Sequence, residues 1–353
     1  MSDLQPNSLE LALSERRGCT IILRLIAAVA VLISHTGPLS RNVSGPLIGN
    51  SPLGEVAVSL FFVLSGYFVF SSSLKHKFLV FILLRFARLF PALFAANFVL
   101  AFVIGPLLSL HADEDVYWAS SDGPLKFLLF NSTLLFGLQP GLASVFSDNP
   151  YPYVVNGSLW TLPTELKCYI LCACIGVVVK LTRHIWPLYV SFVGLSLLYI
   201  SSIHGSLAID QVIPNSTLRL IIIFFSGALV TRVKFSGTGM SFTLKIFAIL
   251  FLFVVWRSPT FAPFFYWSLI PAIALIPTFV SSKFNFFTQR DFSYGFYLWA
   301  FPIQQLTMYF CLATTTLSFS ILSSLITLGI SVASWYLVEF PAMMYARKLL
   351  KEV

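Results

Sequence analysis

Long apolar stretches separated by short polar connections repeat along almost the whole chain. Most of them hold about 20 residues, the length that an α-helix needs to cross the hydrocarbon core of a bilayer. The pattern therefore predicts an all-α, polytopic membrane bundle of about ten transmembrane helices. The predicted spans cover approximately residues 19–38, 52–73, a third span that ends near 110, 161–180, 185–203, 217–232, 242–257, 262–281, 292–313 and 317–341.

Basic side chains fall in alternate connections, while the opposite connections are mostly acidic or neutral. Because cytoplasmic loops of membrane proteins are enriched in Lys and Arg, this alternation predicts that both termini lie in the cytoplasm. Residues 1–15 then form a short cytoplasmic tail, and residues 111–159 form a long extracytoplasmic loop. No internal repeat and no polar stretch suited to an appended soluble domain is recognisable, so residues 1–353 are predicted to form a single transmembrane domain.

Composition supports the membrane assignment and excludes some classes of partner and cofactor. The chain is 57% hydrophobic and only 10% charged, whereas soluble domains carry about a quarter charged residues. The net charge of +8 is typical of basic cytoplasmic loops beside membrane lipids, so we expect no nucleic acid partner. The five cysteines lie within apolar runs or at the edge of one, without metal-ligand spacing. We therefore expect no metal and no disulfide.

The first span carries two polar side chains, Arg24 and His35. They are eleven residues apart, which on an α-helix puts them on one face and roughly 16 Å apart along the axis. A histidine that only hydrogen-bonds within a helix interface is the simpler interpretation. Ionisable groups inside a span usually face a bundle interior or an aqueous path, however, and this favours a functional role. Neutral imidazole suits a general base near neutral pH.

Two more arginines, Arg85 and Arg88, lie in the segment FILLRFARLFPA. At i and i+3 they share one helical face, and guanidinium groups match the geometry of phosphate. Together with Arg24 they are candidate ligands of a polyphosphate, although two arginines can also simply mark a cytoplasmic boundary. Glu339, in SWYLVEFPAM, is a candidate partner for one of these arginines.

Four residues elsewhere are weaker candidates. Glu165 is a carboxylate at the start of the fourth span, and Trp160 beside it is either an interface anchor or a substrate contact. Ser65 and Gly66 form a small pair that favours close helix packing, although the Ser65 hydroxyl can also donate a hydrogen bond. Tyr297 belongs to an aromatic stripe of the ninth span, a pattern typical of packing. Trp160, Ser65 and Tyr297 are retained as candidate substrate-binding residues.

Six segments occur in a fixed order along these spans: RLIAAVAVLISH, LFFVLSGYF, FARLFPA, LWTLPTELKCY, SYGFYLWAFP and WYLVEFPA. Together they resemble the acyltransferase-3 family of integral membrane O-acyltransferases. The resemblance implies a multi-pass enzyme of a bacterial inner membrane. Such an enzyme moves an acyl group, often acetyl, from cytoplasmic acyl-CoA to a hydroxyl of an extracytoplasmic or lipid-linked glycan. O-antigen, capsule and exopolysaccharide are the acceptors that the resemblance suggests.

The resemblance also implies residue roles. His35 is the implied catalytic histidine, acting as a general base or as a transient acyl carrier, and Glu165 is the acidic residue of the same site. Arg24, Arg85 and Arg88 are the implied ligands of the acyl-CoA donor, with acetyl-CoA as the expected molecule.

The chain departs from the family pattern in three places, so a second catalytic histidine is not expected. Many members have an acidic residue before the arginine of the first span, where this chain has Ile21 and Ile22. Many have Asp where this chain has Ser59, and His where it has Ala300.

Two other function classes remain open. A buried Arg–His track in a ten-span bundle also suits a membrane transporter or flippase of a sugar-linked or small-molecule substrate, which inverted repeats would favour. A non-catalytic membrane sensor or partner protein would show no dependence on CoA. The sequence leaves a homodimer open.

Overall fold

The computed structural model describes residues 17–41, 43–48, 51–109, 114–203, 208–231 and 290–351. Helices dominate this part of the chain. They are α1 (Arg17–Arg41), α2 (Leu53–Lys75), α3 (Phe78–Val99), α4 (Gly105–Ser109), α5 (Glu114–Ala119), α6 (Pro124–Thr133), α7 (Leu162–Thr182), α8 (Trp186–Ile203), α9 (Asn215–Val230), α10 (Ser293–Tyr309), α11 (Thr316–Ser334) and α12 (Phe340–Lys351).

Short irregular turns and one small sheet connect the helices. The π-helical turns Leu100–Ile104 and Trp335–Glu339 lead from α3 into α4 and from α11 into α12. The 3₁₀ turn Gly157–Thr161 leads into α7, and a second one covers Ala208–Gln211. Strands β1 (Leu47–Ile48) and β2 (Ser51–Pro52) pair antiparallel, with Leu47 opposite Pro52.

Six helical segments of the described residues are long and apolar enough to cross a membrane. They are Thr20–Ser40, Leu53–Lys75, Phe78–Ser109, Gly157–Thr182, Trp186–Ile203 and Thr316–Leu350. These segments correspond to the first five predicted spans and the tenth, which confirms a helical, multi-pass membrane protein. The sixth predicted span is the shorter apolar helix Asn215–Leu229, and the ninth is α10, with 17 residues. The predicted spans 242–257 and 262–281 lie outside the described residues, so the total of ten stays a prediction.

The chain divides into two compact units. The first comprises Met1–Arg24, Val56–Phe81 and Lys167–Gln289, and the second comprises Leu25–Glu55, Ile82–Leu166 and Arg290–Val353. Each unit is described by itself below.

In the first unit, α2 and α9 touch through their backbones at two glycines. A Cβ on Gly66 would lie 1.8 Å from the carbonyl oxygen of Phe224, and a Cβ on Gly227 would lie 2.0 Å from that of Val63. The carbonyl that contacts Gly66 belongs to Phe224, three residues before Gly227, and the carbonyl that contacts Gly227 belongs to Val63, three residues before Gly66. This reciprocal contact confirms that the small residue Gly66 allows close helix packing.

In the second unit, α10 is the most buried helix of the described residues and packs against α11. Its polar side chains therefore need partners inside the protein. Several of these partners come from the segment between α6 and the 3₁₀ turn at 157–161. Asn149 donates to Gln305 Oε1 at 2.8 Å, and Asn156 donates to the Leu298 carbonyl at 3.0 Å. Buried amides therefore anchor this long connection to α10.

Candidate active site

His35 lies on α1, half-buried, and its imidazole is held by its own helix. The Nδ1 atom lies 2.9 Å from the carbonyl oxygen of Val31, one turn earlier. A carbonyl oxygen can only accept, so the proton of the neutral ring sits on Nδ1. The lone pair of the neutral imidazole is then on Nε2, the form that a general base or a nucleophile requires.

The His35 ring packs against an aromatic neighbour of α10. The ring centroids of His35 and Phe301 are 5.4 Å apart in an edge-on arrangement. Phe301 also lies edge-on to Tyr151, with 6.1 Å between centroids. Gly157 also packs tightly against the Phe301 ring, because a Cβ on Gly157 would lie 2.8 Å from this ring. Phe301 is thus wedged between the histidine and the connection that precedes α7.

Gln304, one turn after Phe301, holds α10 to the same stretch of α1. Its Nε2 donates to the Leu32 carbonyl at 3.0 Å and to the Thr36 hydroxyl at 3.2 Å. The Thr36 hydroxyl also lies 3.0 Å from that of Ser320 on α11. Gln304 is fully buried, so this amide fixes the helix pair on both sides of His35.

Tyr297 connects α10 to the segment that carries Glu165. Its hydroxyl donates to the Ser158 carbonyl at 2.7 Å and lies 2.7 Å from the Thr161 hydroxyl. Glu165 follows Thr161 by one helical turn. Tyr297 therefore contacts the turn that leads directly to Glu165. Trp160 lies in the same turn, 41% exposed.

One face of α10 contacts both the histidine and the segment that leads to Glu165. Tyr297 and Phe301 are one turn apart on this helix and contact the Glu165 segment and His35, respectively. The prediction that Glu165 belongs to the same site as His35 is not tested by these contacts and stays a prediction.

Arg88 on α3 is ion-paired. Its guanidinium donates to Asp291 Oδ2 at 2.8 Å and to Glu339 Oε2 at 3.2 Å. The prediction that Glu339 pairs with one of the arginines is confirmed. Arg85, one turn earlier, is half-buried.

Arg24 and Ser65 belong to the first unit. The Arg24 guanidinium lies over the ring of Phe61, 5.9 Å from its centroid, and Ser65 follows Phe61 by one turn of α2. Since Arg85 and Arg88 belong to the second unit, the predicted grouping of three arginines stays a prediction. In the described part of the chain, no three His, Cys, Asp or Glu side chains come together as a metal site.

Sequence reasoning missed several members of this neighbourhood. Asp291 was overlooked because a carboxylate just before a span reads as an ordinary loop residue. Tyr151 was overlooked because nothing in a loop sequence shows which aromatic ring meets the core. A signal was present for Asp291, because an acidic residue before a helix start often accepts from its first N–H groups.

The sequence matches a family of known proteins over most of its length. Residues 21–336 match the model of the acyltransferase-3 family, described as an acyltransferase domain. The chain is also similar to a protein of Shigella phage Sf6 named O-acetyl transferase, with 28% identity over 337 residues, which is 92% of this chain and 95% of the phage protein. No solved structure matches this chain.

Proposed function

Because this chain belongs to the acyltransferase-3 family, we propose that it is a membrane O-acetyltransferase that moves an acetyl group from acetyl-CoA to a hydroxyl of a glycan. The phage relative supports acetyl as the acyl group, since it is named an O-acetyl transferase. The observation that carries the proposal is the imidazole of His35, which donates through Nδ1 to its own helix and so presents a basic Nε2.

In this mechanism, His35 Nε2 takes the proton of the acceptor hydroxyl as the oxygen attacks the thioester carbonyl carbon. The carbon–sulfur bond breaks, and the departing CoA sulfur takes the proton from the imidazolium. The products are an acetyl ester and free CoA. In the alternative order, Nε2 attacks the thioester carbonyl carbon first, the carbon–sulfur bond breaks, and CoA departs as the thiolate. The hydroxyl oxygen then cleaves the transient acetyl-imidazole, and its proton passes to the CoA sulfur. Glu165 stabilises the imidazolium by its negative charge, which is one role of a triad acid, while the Val31 carbonyl orients the ring through Nδ1.

For the donor, the sequence offers Arg24, Arg85 and Arg88 as candidate phosphate ligands, because guanidinium groups match phosphate in charge and shape. We assign the phosphates of acetyl-CoA to Arg24 and Arg85, since Arg88 already pairs with Asp291 and Glu339. Trp160, Ser65 and Tyr297 are assigned to the substrates. Trp160 fits this assignment through its exposed ring, and Tyr297 contacts the same turn through Ser158 and Thr161.

For the acceptor and the setting, we propose an extracytoplasmic or lipid-linked glycan such as O-antigen, capsule or exopolysaccharide. The enzyme then contributes to polysaccharide biosynthesis in a bacterial inner membrane, with about ten spans, both termini in the cytoplasm and residues 111–159 outside. The alternation of basic connections along the sequence supports this orientation.

The test is acetyl-CoA turnover by the purified protein in liposomes, with a glycan acceptor added and its acetylation followed by mass spectrometry. His35→Ala should abolish both CoA release and glycan acetylation while the protein still inserts and folds. His184→Ala is the matched control, because this histidine is exposed between α7 and α8 and should keep full activity.

Full activity of His35→Ala would refute the role of His35. If no variant and no wild-type sample binds acetyl-CoA, the transferase proposal fails, and a substrate-flux assay would test the transporter alternative.

A further inference from the structure

We propose that Arg88, Asp291 and Glu339 form a buried ionic clamp that positions α10, and that Arg88 is a positioning residue and not itself a phosphate ligand. The inference rests on the proposed function and refines it, because it gives different roles to the two arginines on α3. Arg85 stays assigned to the phosphates of the donor, and Arg88 is assigned to positioning α10.

The clamp begins with two ion pairs made by different nitrogens of one guanidinium group. Arg88 Nη2 lies 2.8 Å from Asp291 Oδ2, and Arg88 Nη1 lies 3.2 Å from Glu339 Oε2. The side chains of Arg88, Asp291 and Glu339 are 16%, 13% and 1% exposed. Charged hydrogen bonds this well shielded from water are stronger than the exposed pairs of a protein surface.

Both carboxylates are oriented by further contacts of their second oxygen. Asp291 Oδ1 accepts from the backbone N–H of Ser293 at 3.2 Å and from its hydroxyl. Glu339 Oε1 accepts from the Ser334 hydroxyl at 3.2 Å. Gly295 makes room for it, since a Cβ there would lie 2.9 Å from the same oxygen. The first turn of α10 is therefore tied to the carboxylates on two sides.

Two aromatic rings also contact the guanidinium. The Arg88 Cζ atom lies 5.6 Å from the ring centroid of Tyr294 and 5.7 Å from that of Trp335, distances at which a cation is attracted to a ring. The Tyr294 hydroxyl donates to the Leu89 carbonyl at 2.8 Å, which adds a direct bond between α10 and α3. Trp335 and Glu339 begin and end a π-helical turn, so this irregular turn supplies both a ring and a charge to Arg88.

Such an arrangement opposes phosphate binding by Arg88. If the guanidinium moved to a phosphate, it would leave a fully buried carboxylate without its cation, and breaking a buried pair from one side is strongly destabilising. If it stayed in place, the phosphate would have to approach two carboxylates of the same charge sign.

The clamp acts on the site through α10. This helix starts two residues after Asp291 and carries three side chains of the candidate active site further along. These are Tyr297, Phe301 and Gln304, which contact the Glu165 segment, His35 and the α1 backbone beside it, respectively. Loosening the first turn should therefore misplace groups around the histidine, and small misplacements of reacting groups are costly to catalysis.

The experiment compares Asp291→Asn, Glu339→Gln and Arg88→Gln with Arg85→Gln, in kinetics and in thermal unfolding. For the three clamp variants we expect kcat to fall tenfold or more, KM for acetyl-CoA to stay within about twofold, and Tm to fall by roughly 5 °C or more. Arg85→Gln should instead raise KM for acetyl-CoA. Lys126→Met is the matched control, because its pair with Asp122 is exposed at 3.0 Å and should leave all three quantities unchanged.

The clamp is refuted if Arg88→Gln raises KM as Arg85→Gln does, or if freeing Arg88 by Asp291→Asn lowers KM. It is also refuted if the Tm effects of Arg88→Gln and Glu339→Gln are additive in the double variant, since paired groups must couple. If Glu339→Gln does not accumulate, the same double-mutant cycle in thermal unfolding can be made with Asp291→Asn and Arg88→Gln. The unfolding cycle needs no activity, so a failure of the transferase proposal would be recognised separately by absent turnover in the wild type.

Discussion

The contact between α2 and α9 predicts a large loss of stability for Gly66→Ala. The new methyl group would lie 1.8 Å from the Phe224 carbonyl oxygen, while real Cβ contacts under 3.0 Å are essentially never seen. The two backbones must therefore separate by at least about 1.2 Å, the difference between these two distances. Neither partner is a flexible side chain, because the obstacle is a main-chain carbonyl group. The strain cannot be relieved by a rotamer change.

The magnitude follows from what this separation breaks. Overpacking a tight interface usually costs about 1–3 kcal/mol, and here the reciprocal contact of Gly227 with Val63 opens as well. We expect Gly66→Ala to lower the free energy of unfolding by about 3 kcal/mol. Gly227→Ala should cost a similar amount, and the double variant should cost less than the sum, because either change alone already separates the helices.

The assay is thermal or denaturant unfolding of the purified protein in a fixed detergent. Gly194→Ala is the matched control, because this glycine also lies in a helix of the first unit and a Cβ there meets nothing within 4 Å. It should be neutral or slightly stabilising, as expected for alanine in place of glycine in a helix. If Gly66→Ala were as stable as Gly194→Ala, the close approach of α2 and α9 would be refuted.

Two further predictions concern the second unit. Gly157→Ala should displace the Phe301 ring, which lies 2.8 Å from the new Cβ position. Because this ring packs against the catalytic histidine, we expect kcat to fall several-fold while Tm changes little. Gly329→Ala is the control, since nothing lies within 4 Å of a Cβ there, and equal kcat values for the two variants would contradict the tight contact between Gly157 and Phe301. Burial raises the pKa of Tyr117, whose hydroxyl donates to the Ala101 carbonyl at 2.5 Å. The unfolded chain then loses this proton first, so the tyrosine's contribution is present below its ordinary pKa of about 10 and declines as pH rises above it. Tyr117→Phe should weaken this decline, and an unchanged slope of unfolding free energy against pH from 9 to 11 would contradict the assignment.

The sequence by itself determined the class of protein, because a long apolar segment in lipid has to satisfy its backbone hydrogen bonds internally and therefore becomes a helix. It also identified His35, Glu165 and Arg88 as polar residues in or beside apolar spans. Such residues stand out in one dimension, since a charge or an imidazole within an apolar stretch is rare and costly. The partnership of Glu339 with an arginine was indicated for the same reason.

Only the tertiary structure decided which of these residues meet. Asp291 and Glu339 are both bound to Arg88, although about 200 and 250 positions separate them from it along the chain. The ring of Phe301 contacts His35. The sequence alone does not distinguish Phe301 from Trp299, because both are aromatic residues of the same apolar span. Local sequence patterns indicate which side chains are costly to bury. The partner that offsets the free energy of burying each one is set by helix packing, which depends on close contacts between segments distant in sequence.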